Sequence, residues 1–179
     1  ARVLVGRGVA VLQGEHGQLR SAEMTVKRKW LRKMGYRFCR GVHAVSASLR
    51  EDLINHGFDG EKIKVVLNGV DCERFTPVSG EHRTMLRSGW GMEEDSIVIG
   101  IVGRFVALKG HTRLIEAFGQ LASNHPRLRL LIVGDHGAER EKILSQIEGS
   151  PVRRQIVWSG YQQETVDFYR MMDLLVVPS

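Results

Sequence analysis

Hydrophobic positions in this chain fall into short continuous runs, separated by stretches in which they recur at helical spacing. The densest run is IVIGIVG at 97–103. It is too continuous for a half-exposed strand and predicts one buried on both faces. Leu114, Ile115, Phe118, Leu121 and Ala122 follow and share one helical face. Further apolar runs predict strands over 9–12, 42–45, 63–67, 128–133, 156–158 and 174–177. Between them, helices are expected over 25–40, from a cap at Ser46 or Ser48 to about His56, over 84–90, from the GDHGAE turn to about Ile147, and over 162–171. QGEHGQ is expected to be a loop, Asn68-Gly69 a turn and 76–82 a linker. Strands alternating with helices in this way predict an α/β protein whose parallel sheets are covered on both faces.

Composition narrows the class. The 179 residues are 42% hydrophobic and 26% charged, which suits an ordinary globular chain of one domain or two small ones. No apolar run approaches the roughly 20 residues needed to cross a bilayer, and the start lacks the order of a signal peptide. The two cysteines, Cys39 and Cys72, show no metal or redox spacing. Free thiols in a cytoplasmic protein are the expectation.

Charge adds two features. The net charge of +6 comes entirely from the first 75 residues, and much of it from TVKRKWLRKMGYRFCR at 25–40, which has no acid. On a helix, Val26, Trp30, Leu31, Met34 and Phe38 would share a face, with Arg28, Lys29, Arg32, Lys33 and Arg40 largely opposite and Lys27 and Arg37 at the apolar edge. That pattern fits a helix lying at an anionic membrane surface. It also fits a surface helix packed on its own domain, its cations solvated. The second feature is an acid-free stretch from Ser96 to Ile115 that holds Arg104, Lys109 and Arg113. Lys109 falls about where the following helix begins, and a cation there opposes the helix dipole. The arrangement makes sense if Arg104, Lys109 and the free N–H groups share an anion such as a phosphate. From this stretch alone, two solvated loop charges serve as well.

Five segments in order, VLNGVDCERFTP, GIVGRFVALKGHTRLIEAF, LLIVGDHGAER, VWSGY and MMDLLVVPS, resemble the family 4 retaining glycosyltransferases of the GT-B fold. The similarity runs from 41 to 179 and more weakly over 9–40. It implies two Rossmann-like, doubly wound domains, both incomplete: 1–76 as the last part of an acceptor-side domain with the hinge, and 77–179 as the first part of a donor domain. It also implies transfer of sugar from a nucleotide-sugar to a carbohydrate or lipid-linked acceptor with retention of configuration, in polysaccharide or glycolipid synthesis. No cofactor and no catalytic metal are implied.

The resemblance assigns roles residue by residue. Arg104 and Lys109 match the arginine and lysine that grip the donor's pyrophosphate. A planar bidentate fork and a compact charge suit a diphosphate leaving group and would offset the charge that develops as the sugar–phosphate bond breaks. Gly103 would let the backbone approach the phosphates, or serve only a tight strand exit. Gly160 and Tyr161 follow the strand beside which the family tends to seat the base; packing is the other role for Tyr161. His136 stands where the family usually has glycine, so Gly134 and Asp135 are expected to form a turn first and a ligand contact second. Asn68 and Asp71 of the hinge segment are expected to be structural. His16 matches the family histidine near the transferred sugar, although alignment on the strand end could place Gln13 there.

Other classes fit less well. No paired carboxylates of the glycosidase kind and no metal-ligand cluster are apparent. The first strand of the second half is followed by GRFVALKG and not by G-x-G-x-x-G, which disfavours a dinucleotide-dependent oxidoreductase. Trp30, Tyr36 and Phe38 interleave with cations, but one helix is a poor nucleic-acid surface, and no nucleic-acid partner is expected. A non-catalytic nucleotide- or anion-binding module stays open. The sequence stops before the paired glutamates that the family uses on the donor, so the chain by itself is expected to be an inactive fragment, with DLLVV left as an unpaired, association-prone edge.

Overall fold

The computed structural model describes residues 10–17 and 25–178. Two compact units divide between Val70 and Asp71.

In the first unit, β1 (Leu12–Glu15), β2 (Gly41–Ala44) and β3 (Ile63–Val65) form a parallel sheet in that order. Helices α1 (Val26–Arg37) and α2 (Ala47–Asn55) make the crossovers. Thr25 caps α1 by accepting from the Arg28 N–H, and Ser46, one of the two serines expected, caps α2 by accepting from the Leu49 N–H. Tyr36, Val42, Ala44, Leu49, Leu53, Phe58 and Ile63 form the core.

One expectation is corrected here. The first strand covers Leu12–Glu15 and not 9–12, of which Val9 lies outside the described residues. The polar Gln13-Gly14-Glu15 can be strand because Glu15 is buried with its carboxylate satisfied: it accepts from the Tyr36 hydroxyl at 2.6 Å and from Arg32 at 3.1 Å. Burial, and then that bond, pushes the Tyr36 hydroxyl well above its usual pKa. On the apolar side of α1, Met34 is half-buried while Leu31 and Phe38 are exposed among the described residues. Tyr36 and Arg32 turn inward to Glu15, and the Lys33 ammonium lies 5.9 Å from the centre of the Phe58 ring. On the opposite side Val26 is 87% and Trp30 60% exposed among the described residues.

In the second unit, α3 (Gly80–Ser88) precedes β4 (Ile97–Val102), α4 (His111–Ala122), β5 (Leu128–Val133), α5 (Arg140–Glu148), β6 (Ile156–Trp158), α6 (Val166–Met171) and β7 (Leu174–Leu175). Several elements are shorter than or offset from their sequence-based spans. Ser79 caps α3 inside the expected linker, and β7 and α6 are each cut short. All four strands are parallel, in the order β6-β5-β4-β7.

Alternation along the strands gives each face of this sheet its own core. Ile99, Ile101, Leu130, Ile132 and Ile156 pack on Ile115, Phe118, Ile143 and Ile147 of α4 and α5. Val98, Val102, Leu131 and Val133 pack on Leu86 of α3, on Phe168 and Met171 of α6 and on Met172. β7 pairs with β4 only at Leu174 and Leu175, and Leu174 is 54% exposed at the sheet edge. Residues 71–76 join this unit and not the first: Arg170 donates to the carbonyls of Arg74 and Thr76, Arg74 pairs with Glu164, and Phe75 meets Tyr169 edge-on.

A buried arginine ties the second unit together. The Arg87 guanidinium donates to the carbonyls of Met171 and Ser96 and to Asp173 Oδ2 at 2.7 Å. Asp173 Oδ2 also accepts from the Val98 N–H. Asp173 is partly exposed and also pairs with Arg83 at 3.0 Å, so Arg87→Met strands chiefly the carbonyls of Met171 and Ser96 and should lower unfolding free energy by about 2 kcal/mol. Arg87→Lys, which keeps the charge but loses the fork, should lose less. Urea unfolding checks this, with a lower midpoint at unchanged slope expected for Arg87→Met.

Candidate functional site

The four strands of the second sheet run parallel, and the segments that leave β4, β5 and β6 carry Arg104, Lys109, Asp135, His136 and Tyr161. β4 is flanked by β5, which follows it through α4, and by β7, which is reached only after the chain has wound the other way. A crevice beside a strand where the winding reverses is where doubly wound sheets bind ligands. The loop leaving β4 at this point carries Arg104 and Lys109.

That loop is held at both sides of Arg104. The Gly103 N–H donates to the Val133 carbonyl. Phe105, fully buried, donates its N–H to the His136 carbonyl at 3.0 Å and accepts at its own carbonyl from the Glu139 N–H at 3.0 Å. The turn after β5 therefore grips the loop after β4. Gly134 makes this approach possible: at φ 141° it lies so close that a Cβ would overlap the Gly103 carbonyl oxygen. Between these anchors Arg104 is exposed.

Lys109 ends a single 3-10 turn, and Gly110, at φ 69°, then opens α4 from the left-handed region. The Lys109 stem runs over Gly103, its Cγ and Cδ 3.6 Å from where a Gly103 side chain would stand. Gly103 is thus the floor beneath Lys109. Among the described residues neither Arg104 nor Lys109 makes an ion pair or a hydrogen bond through its side chain. Two cations with no side-chain partner among the described residues thus stand at the start of a twelve-residue helix, where N–H groups without an intrahelical acceptor lie.

Asp135 is engaged locally. It accepts from the His136 N–H at 2.8 Å and from Arg140 at 2.6 Å. Burial pushes its carboxyl upward, but the bonds from Arg140 and His136 outweigh this and hold it below the usual range. The Arg140 guanidinium lies over the Trp158 ring at 6.0 Å, and Trp158 donates to the Gly134 carbonyl. Gly160, at φ 72°, accepts from the Gly134 N–H, which brings the ends of β5 and β6 together. Tyr161 is 65% exposed and so packs in no core; its ring meets His136 edge-on at 5.7 Å.

His16 belongs to the first unit. Because β1 ends at Glu15, His16 directly follows the strand and Gln13 lies within it. His16 is exposed and meets His43 edge-on at 5.3 Å. Among the described residues no cluster of three or more His, Cys, Asp or Glu could hold a metal ion. No helix among them is long and apolar enough to cross a membrane.

One residue of this region is not singled out by sequence reasoning. His111, the first residue of α4, is 0% exposed, with neither ring nitrogen hydrogen-bonded to any described residue. Its ring meets Phe105 edge-on at 4.9 Å. Burial lowers its pKa below the usual imidazole value; the Glu139 charge opposes this in part, and the nearby Lys109 charge, the smaller effect, adds to it. In the sequence it looks like one polar residue on a helix with a clear apolar stripe.

Residues 83–179 match the family described as Glycosyl transferases group 1, and residues 1–74 match Glycosyltransferase Family 4. The chain is 33% identical over 154 residues to mannosylfructose-phosphate synthase of Agrobacterium fabrum, covering 80% of this chain and 34% of that protein. It is 34% identical over 139 residues to D-inositol 3-phosphate glycosyltransferase of Corynebacterium jeikeium, covering 72% and 33%. The chain thus spans about a third of the length of the curated relatives it matches. Among solved structures, it superposes on Anabaena HepE in complex with UDP with a TM-score of 0.81 at 22% identity, covering 95% of this chain and 47% of that one. For WaaG, a glycosyltransferase involved in lipopolysaccharide biosynthesis, the TM-score is 0.70 at 20% identity, covering 95% and 51%. These likenesses bear out the GT-B architecture expected from the sequence.

The state of His111 makes a measurable contribution to stability. Its folded pKa lies below the roughly 6.5 of an unfolded histidine. Between those two values the unfolded chain holds the proton and the folded chain does not, so stability falls as pH drops through about 6.5 and levels off below the folded pKa. Denaturant unfolding of the parent and of His111→Phe at about pH 7.5 and pH 5.5 should show a stability gap that shifts in favour of the variant at the lower pH. A gap that does not change with pH would contradict the buried, neutral assignment.

Proposed function

The chain belongs to the group 1 glycosyl transferases, and from that premise we propose that it carries the donor site of a retaining enzyme that moves sugar from a nucleotide-sugar to a carbohydrate or lipid-linked acceptor, in polysaccharide or glycolipid synthesis. The observation that carries the reading is the pair Arg104 and Lys109, unpaired beside the N-terminus of α4 at the reversal point of the sheet. In such a transfer the bond from the sugar to the diphosphate breaks, a bond to the acceptor oxygen forms, and negative charge grows on the departing diphosphate. Arg104 would meet that charge with a planar fork and Lys109 with a point charge. Both stand in place before the reaction, which is what electrostatic stabilisation of a leaving group requires. The proposal assigns this role to the two side chains and none to a metal.

The remaining roles follow from placement. The exposed Tyr161 ring, backed by His136 and following Gly160, offers the nucleotide base a face to stack on. Gly103 shapes the floor of the phosphate site. His16, at the end of β1, is the candidate polar contact to the transferred sugar. The UDP bound by HepE supports a nucleoside diphosphate as the common part of the donor.

The direct test is binding, because a chain that spans about a third of its relatives is not expected to turn over alone. Calorimetry with UDP-glucose and GDP-mannose should show that Arg104→Ala and Lys109→Ala each weaken binding by about tenfold or more, as expected for loss of a charge-assisted hydrogen bond. In an enzyme that contains this chain and is active, each substitution should lower kcat/KM by about two to three orders of magnitude. Undiminished binding and turnover in both variants would overturn the assignment.

Part of the same reading is a peripheral contact with acidic lipid through α1. Its open side presents Val26, Trp30 and Leu31 together with Lys27 and Arg37. An apolar strip with cations at its margin is complementary to a surface with hydrocarbon beneath and negative headgroups above. Co-sedimentation at low salt should be stronger with vesicles of mixed phosphatidylcholine and phosphatidylglycerol than with phosphatidylcholine alone, and Trp30→Glu should reduce it. Equal recovery with both vesicle types would retire the lipid contact.

A further inference from the structure

A buried imidazole with both nitrogens unpartnered is unusual, because buried polar groups in folded proteins are almost always hydrogen-bonded. At His111 the cost has no evident structural return. The ring packs edge-on against Phe105, a contact that a phenyl ring would make as well without stranding two polar atoms. The next residue repeats the pattern: the Thr112 hydroxyl is also buried without a partner. Two consecutive residues in the first turn of α4 therefore leave polar atoms unsatisfied at the helix end that attracts anions.

The position of the ring gives this a direction. His111 Cε1 lies 3.8 Å from where a Gly103 side chain would stand, the same patch that the Lys109 stem crosses at 3.6 Å. The imidazole thus lies beside the floor of the phosphate site, next to Lys109. The charges that act on it are Lys109 from its own loop and Glu139 from the turn before α5. Burial, Lys109 and the N-terminal end of α4 disfavour a proton on the ring, whereas Glu139, the stronger of the two charges, favours it without outweighing burial. A diphosphate seated beside Lys109 would reverse that field and supply the missing hydrogen-bond acceptors.

We propose that His111 is a third donor-binding group, neutral in the free protein, which takes up one proton from solvent and hydrogen-bonds the diphosphate when a nucleotide-sugar binds; the inference rests on the donor reading of Arg104 and Lys109. Nothing is oxidised or transferred: an imidazole nitrogen gains a proton, and the added positive charge is balanced by the diphosphate. The bound-state pKa then lies above the free-state pKa, so in the window between them binding consumes protons and tightens as pH falls.

Titration calorimetry of the 179-residue chain with UDP-glucose and GDP-mannose tests this, because their diphosphate diesters carry no titrating proton near neutrality. Measurements in two buffers of different ionisation enthalpy report proton uptake directly. The parent chain should take up a fraction of a proton per donor bound near pH 6.5, falling toward zero near pH 8. His111→Phe should take up less and bind about tenfold more weakly, while its melting temperature at pH 7 equals or exceeds the parent's. His111→Gln, which keeps a donor but cannot titrate, should recover part of the affinity and none of the uptake. Parental affinity and uptake in His111→Phe would overturn the inference. If His111→Phe does not fold, parental uptake in His111→Gln would do the same. Arg104→Ala and Lys109→Ala separate the two levels: if both bind donor as the parent does, or if the parent binds neither donor, the donor reading fails first. If they lose binding while the His111 variants behave as the parent does, only the role of His111 fails.

Discussion

The second unit is governed by the burial of β4 on both faces and its pairing on both edges. Val98 and Val102 point into one core, Ile99 and Ile101 into the other, and β5 and β7 take up its backbone groups. Such a strand has no surface on which to carry a polar side chain. Polar chemistry is displaced to its ends, and at the C-terminal end the sheet continues to β5 on one side and to β7 on the other. Arg104 and Lys109 follow the strand because no position within it could hold them without stranding a charge.

Holding those two cations in place is the work of neighbouring loops and not of the loop that carries them. Phe105 is pinned by the turn after β5, and that turn is in turn fixed to the end of β6 through Gly134, Gly160 and Trp158. A cation at the entry to α4, a buried imidazole beside it and a non-glycine residue at φ 52° in His136 are each locally unfavourable. They occur together at one rim. Conflicts of that kind within an otherwise consistent fold mark places shaped by something other than stability.

The first unit shows a single buried carboxylate overriding a helix pattern. Glu15 requires donors, and α1 is the element that can supply them, through Tyr36 and Arg32. The helix is rotated accordingly, and the side richest in Val, Trp and Leu faces outward. Pattern reasoning assumes that apolar area decides which face turns in. Here an unpaired charge would cost more than an exposed apolar strip, and the charge decides.

By itself the sequence determined the alternation of strands and helices, the residues of β4, β5 and β6, a serine cap at 46 or 48 and the family motifs around Arg104 and Lys109. These are legible because they are local: a run buried on both faces, a turn chemistry or a short spacing is written within a few residues. The strand order β6-β5-β4-β7 is that of the doubly wound sheet which the family resemblance implies. Tertiary structure alone decided the rest. The extension of β1 to Glu15, and with it the placing of His16 and not Gln13 at the strand end, depends on partners seventeen and twenty-one residues away. The attachment of 71–76 to the second unit depends on Arg170, and the floor under Lys109 on the meeting of Gly103 with Gly134. His111 is the clearest case. A histidine at the start of a helix is unremarkable in sequence, and only the packing of Phe105 around it makes its two nitrogens buried and unpaired, because burial belongs to the surroundings of a residue and not to the residue itself.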